Sequence, residues 1–89
     1  IQTQDINSLV YPNPFINQIE IVFELEQTTF LRLELVDIEG RIVRLILEDR
    51  IKSGKNSISF NGSFLTSGTY FLNAYSADNL AFSKKLIKQ

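Results

Sequence analysis

Residues 19–41 read IEIVFELEQTTFLRLELVDIEGR, and an alternation of period two runs through them twice. Ile19, Ile21, Phe23 and Leu25 alternate with Glu20, Val22, Glu24 and Glu26, and Leu31, Leu33 and Leu35 alternate with Arg32 and Glu34. Successive side chains of a strand point to opposite faces, so each run predicts a strand with one face in a core and the other largely in water. The stretch closes on Val36-Asp37-Ile38-Glu39-Gly40-Arg41. Asp at the first turn position with Gly three residues on suits a type I turn closed by a left-handed Gly bulge, so a tight hairpin is expected. The return strand, Arg41 to Leu47, is apolar on both faces. Either Val43, Leu45 and Leu47 or Ile42 and Ile46 should face inward, the other set being covered by a loop or a partner.

Toward the C-terminus, Glu48-Asp49-Arg50 to Gly54 reads as a charged break, followed by an alternating strand at Ser57-Ile58-Ser59-Phe60. Asn61-Gly62 could make a hairpin turn, but Ser63 to Gly68 has no strand period, so a loop or single helical turn anchored by Leu65 is expected. Tyr70, Leu72 and Ala74 alternate with Phe71, Asn73 and Tyr75; Ala77-Asp78-Asn79 supplies a turn; Leu80, Phe82, Lys84 and Leu86 alternate with Ala81, Ser83, Lys85 and Ile87. Toward the N-terminus a short strand, Ser8 to Tyr11, precedes Pro12. Proline has no N–H to donate and restricts the residue before it, so Tyr11 to Phe15 should be an extended kink at a sheet edge. About seven strands at roughly 8 to 12 residue spacing, and no helix, give the fold class: an all-β, immunoglobulin-like antiparallel β-sandwich. Phe23, Phe60, Tyr70 and Phe82 are expected in its core.

Eighty-nine residues allow one domain and leave little room for an enclosed catalytic cleft. The chain contains no Cys and no His, which excludes thiolate chemistry, His-based nucleophile activation and imidazole metal ligands. Glu24 and Glu26 share a strand face, but an exposed one with no pocket to raise a carboxyl pKa. Glu48 and Asp49 with Asn56 or Asp78 lack the spacing of a calcium loop. The four glycines stand singly, so no phosphate loop forms. No enzyme activity, cofactor or metal is expected. A pI near 5.3 argues against nucleic acid. Phe71 and Tyr75 are the candidate platforms for a sugar.

The net charge of −1 divides unevenly. Residues 1–37 carry six acids against Arg32 alone, while residues 38–89 carry eight bases against four acids. Pairing of strands across the halves would compensate these charges on exposed faces. The alternative is that Lys84, Lys85 and Lys88 form a basic tail used in recognition.

Five segments, taken in order, carry a resemblance: Tyr11-Pro12-Asn13-Pro14-Phe15; Asp37 to Arg41 with its apolar strand; the turn at Gly54; Leu65-x-x-Gly68-x-Tyr70; and the basic-then-apolar Lys84 to Lys88. Over residues 8–88 the chain resembles the type A C-terminal sorting domain of proteins exported by the bacterial type IX secretion system. The resemblance implies an N-terminal cargo that crosses the inner membrane by its own signal peptide and folds in the periplasm. It implies recognition of this domain by the outer-membrane translocon and its shuttle components, removal by a surface sortase, and cargo at the cell surface or outside the cell. The start at Ile1 and the absence of Met lead to the expectation of a processed piece, with residues 1–7 as linker or cleavage region and 8–89 as the domain.

Gly68, Tyr70, Lys84, Lys85, Leu86, Ile87 and Lys88 are the expected recognition residues. Tyr11, Pro12, Asn13, Pro14, Asp37, Gly40, Arg41 and Gly54 are expected to be mainly structural. The last strand would lie open at a chain end, where a partner or a second copy could add a strand. Deleting Lys84 to Gln89 should then block export and leave most of the fold intact. Two rival classes are a spacer module, similar to the domain of the flagellar hook-capping protein, which carries Trp-Asp-Gly where this chain has Phe60-Asn61-Gly62, and a carbohydrate-binding accessory module.

Overall fold

The computed structural model describes residues 6–89. Residues 1–5, most of the expected cleavage region, lie outside the described residues. Seven strands follow in order: β1 (Asn7–Tyr11), β2 (Gln18–Leu25), β3 (Thr29–Asp37), β4 (Ile42–Ile51), β5 (Gly54–Asn61), β6 (Gly68–Ser76) and β7 (Asn79–Lys88). They form two antiparallel sheets, β1-β2-β5 and β4-β3-β6-β7. The all-β sandwich of seven strands expected from the sequence is the fold. Its fourth strand pairs with the third rather than joining the sheet of the first two, unlike an immunoglobulin constant domain.

The core follows from the alternation. Ile19, Ile21, Phe23 and Leu25 of β2 face Leu31, Leu33 and Leu35 of β3, Tyr70, Leu72 and Ala74 of β6, and Phe82 and Leu86 of β7, all buried in one cluster with Ile6, Val10, Phe15 and Leu65. Each large apolar side chain in that cluster contributes about 1.5 to 3 kcal/mol relative to exposure. Phe23 and Phe82 meet at a centroid distance of 6.5 Å across the two sheets.

Where the period of two breaks, the sequence reading fails. The charged segment Glu48 to Arg50 is strand, because β4 continues to Ile51 opposite Thr29. Neither expected inward set of β4 is realised. Register shifts opposite Leu33/Glu34 and Leu35/Val36 insert an extra residue twice, so Val43, Ile46 and Leu47 pack against the core while Ile42 and Leu45 are exposed. A third shift at Ala74/Tyr75 turns both Ala81 and Phe82 inward and leaves Leu80 out. Phe60 is only partly buried and stacks edge-on against Phe64 at 6.1 Å. Glu34, expected in water, is buried on the outer face of its sheet with the Arg32 guanidinium 2.7 Å away.

Candidate functional site

The β3–β4 turn is built as its sequence requires. Gly40 N–H donates to the Asp37 carbonyl at 3.0 Å with Gly40 at φ +83°, and Asp37 N–H donates to the Arg41 carbonyl at 3.0 Å. The Asp37 carboxylate accepts from the backbone N–H of Glu39 (2.9 Å) and of Arg41 (3.0 Å) and from the Arg41 side chain (3.1 Å). The Arg41 backbone bond, with help from the Arg41 side chain and the Glu39 N–H, holds this carboxyl below its usual range against the opposing effect of burial.

Across the end of the sandwich, Leu65 is buried and its N–H closes a turn onto the Gly62 carbonyl. This is the anchored loop expected between β5 and β6. Gly68 opens β6 at φ +150°, a conformation that a side chain resists. Tyr70 is buried, and its hydroxyl donates to the Thr66 carbonyl at 2.7 Å. That bond ties the loop to the strand as the tyrosine corner of immunoglobulin-like sandwiches does. A cleft of about 510 Å³ lies between this loop and the Asp37–Arg41 turn, lined by Ile38, Arg41, Val43, Phe64 and Gly68 among others.

The tail is less open than its sequence suggests. Leu86 is 0% exposed, Lys88 is buried with its ammonium donating to the Gln89 carbonyl, Lys84 and Ile87 are half-buried, and Lys85 is exposed. β7 pairs with β6 from Asn79 to Lys88. Its outer edge is occupied near the C-terminus by the segment after β1. Phe15 forms a parallel bridge with Lys88, and the Asn13 side chain bonds the backbone of Lys85 and Ile87. The two X–Pro bonds, Tyr11-Pro12 and Asn13-Pro14, are cis. The edge position expected for Tyr11–Phe15 is thus found, and the open edge expected for the last strand is found only ahead of Lys85, because from there on this chain already fills it. Removal of Lys84 to Gln89 would take Leu86 out of the core and unpair Gly68 to Leu72, so such a truncation is expected to cost stability as well as the tail.

Strand direction brings the motifs together. The β1–β2 connection, the Asp37–Arg41 turn, the Gly62–Ser67 loop and Lys88 all lie at one end, as the pairings Tyr11 with Glu20, Val36 with Ile42, Asp37 with Tyr70 and Gly68 with Lys88 require. Gly54, opposite Leu25, lies at the other end, where Asn7 opens β1 opposite Glu24. Of the exposed large apolar side chains, Tyr11, Ile16, Ile38, Ile42 and Phe64 belong to the motif end. Ile38 and Phe64 carried no signal in the sequence, because exposure of an apolar turn residue depends on what packs over it.

Strands from the two halves do pair and set opposite charges against each other, Glu24 opposite Lys55 and Arg32 opposite Glu48, though few of these contacts close into ion pairs. Arg32 pairs with Glu34 and reaches Asp78, and Arg41 pairs with Asp37 and Glu39. Among the described residues no lysine has a carboxylate within ion-pair distance. Phe71 and Tyr75 are half-buried in the outer face of the larger sheet, and Tyr75 lies under the Arg32 guanidinium at 4.7 Å, so neither ring is an open platform. Among the described residues no group of three or more potential metal-binding side chains gathers.

The motif residues build turns, a corner and a closed edge, and the strands bring most of them to one end of the sandwich. The chain belongs to the family of secretion system C-terminal sorting domains, whose model matches residues 9–89. It is a sorting signal of the type IX secretion system, a family that is not catalytic and that directs export toward the cell surface or the extracellular space. No curated protein and no solved structure matches the chain.

Proposed function

We propose that this chain is a folded address carried behind an N-terminal cargo, read by the outer-membrane translocon at its motif end. The observation that carries the reading is polarity. The chain enters at Ile6 and Asn7, whereas the motif segments and Lys88 lie at the opposite end. Strands of eight to ten residues at about 3.3 Å per residue put the two ends roughly 25 to 30 Å apart, so a cargo leaves the motif end uncovered. In this reading the cargo passes through the periplasm, and a surface sortase cuts in the segment before β1. The recognition residues are those of the tail that remain accessible, Lys84, Lys85 and Ile87, while Gly68, Tyr70, Leu86 and Lys88 hold the shape that presents them.

The test fuses residues 1–89 to the C-terminus of a periplasmic fluorescent reporter in a bacterium with a type IX system. Delivery to the surface or medium that is lost when the translocon is disrupted is the expected result. Retention in the periplasm with the domain folded would overturn the reading and leave a spacer module in its place.

A further inference from the structure

Pro12 and Pro14 have no N–H, so the segment Tyr11–Phe15 cannot close a strand edge by backbone pairing alone. The side chain between them substitutes for the missing peptide. Asn13 Oδ1 accepts from Ile87 N–H at 2.9 Å, and Asn13 Nδ2 donates to the Lys85 carbonyl at 2.8 Å. A carboxamide carries the same donor and acceptor as a peptide unit. Phe15 then takes over with its own backbone, its N–H donating to the Ile87 carbonyl at 2.9 Å and its carbonyl accepting from Gln89 N–H at 2.8 Å. The Lys85 carbonyl, both Ile87 backbone groups and the Gln89 N–H are all satisfied. Phe15 is fixed beneath this contact, 1% exposed, and the far side of the segment is held by Gly62 N–H donating to the Asn17 carbonyl at 2.7 Å.

Over Lys85–Gln89 an edge closed in this way admits no further strand, and the prolines cannot donate to one. What remains to be read is side chains. Lys85 is exposed with no carboxylate partner among the described residues, and Pro12, Pro14 and Ile16 stand exposed beside the residues that hold it in register. Unpaired surface charge of one sign contributes partner choice and encounter rate more than affinity.

We propose that the docking surface of this domain is the closed edge of β7, a composite of Tyr11–Phe15 and Lys85–Gln89. Its partner is a protein surface that meets Lys85 with a carboxylate and gives Ile16 an apolar seat. Asn13 is the positioning residue: it acts through the backbone of Lys85 and Ile87. The inference rests on the sorting function proposed above and says which surface performs it.

The reporter fusion tests it with four variants: Asn13→Ala, Lys85→Glu, Lys85→Arg and, as a stability control at the opposite end, Ile51→Ala. Export of Asn13→Ala and Lys85→Glu is expected to fall at least tenfold, with folded fusion accumulating in the periplasm. Lys85→Arg and Ile51→Ala are expected to export as the parent does. Amide exchange on the purified Asn13→Ala domain should show Ile87 and Gln89 opened while the core amides stay protected. Undiminished export of Asn13→Ala overturns the proposal. Increased export overturns it too, and identifies the segment as a cover over a strand-addition site. Equal loss in Ile51→Ala reduces the effect to stability and overturns it as well. Failure of the parent fusion to export would instead bring down the sorting function itself.

Discussion

Asp37 shows how one side chain fixes a turn and gives it a pH dependence. Its carboxyl is held below the usual range by the Arg41 N–H first, so the folded state has the lower pKa. The stabilisation is therefore complete above the ordinary Asp value of about 4 and is lost as pH falls through the folded value. The difference in Tm between the parent and Asp37→Ala should be full at pH 7 and should close as pH is lowered from about 5 toward 2; a constant difference would refute this account. Glu20 is depressed in the same direction, chiefly by the Ser59 hydroxyl, and adds to the acid sensitivity. Gly68 is a second single-residue constraint: at φ +150° it has open space around the missing Cβ, so the cost of Gly68→Ala is conformational rather than steric. A loss of about 1 to 3 kcal/mol is expected from urea unfolding. Tyr70→Phe, which removes only the bond to Thr66, should cost about 1 kcal/mol in the same assay.

Among the elements, β7 differs most from its sequence expectation. A basic tail looks detachable, yet the strand supplies Leu86 to the core and pairs over its whole length. Leu86→Ala is expected to cost about 2 to 5 kcal/mol by denaturant midpoint, within the range for a fully buried leucine. Export lost with that variant would therefore report unfolding, whereas loss with Lys85→Glu at unchanged Tm would report recognition. β4 is the counterpart at the opposite edge of the same sheet. Its two bulges twist it, which suits an edge strand that must not recruit another, and leave Ile42 and Leu45 in water.

For the whole molecule, polarity separates attachment from recognition. A globular tag placed before Ile1 should leave export intact, whereas the same tag placed directly after Gln89, whose N–H pairs with Phe15, should reduce it strongly; equal export of both fusions would argue against a motif end that is read. Because β1 and its following segment must meet both β2 and β7, closure of the sandwich depends on contacts between chain ends. Such topology folds in milliseconds to seconds, slowly for this size, and as one cooperative unit.

Much of this protein is written in local sequence. The alternation at Ile19–Leu25 and Leu31–Leu35 determines two core strands, Asp37 and Gly40 determine the turn between β3 and β4, and the spacing of turn residues determines a seven-strand sandwich, because each depends on side-chain period or backbone conformation within a few residues. The order of the motifs likewise suffices to place the chain in its family. Three things were decided only by tertiary structure: the inward faces of β4 and β7, the burial of Glu34 against Arg32, and the closing of the tail by Asn13 and Phe15. A bulge is set by the strand opposite, burial by whatever packs above, and an edge is closed by atoms some seventy residues away in sequence. The segments that carry the signal are legible one by one in the chain, but the surface they make together exists only once the two sheets have closed.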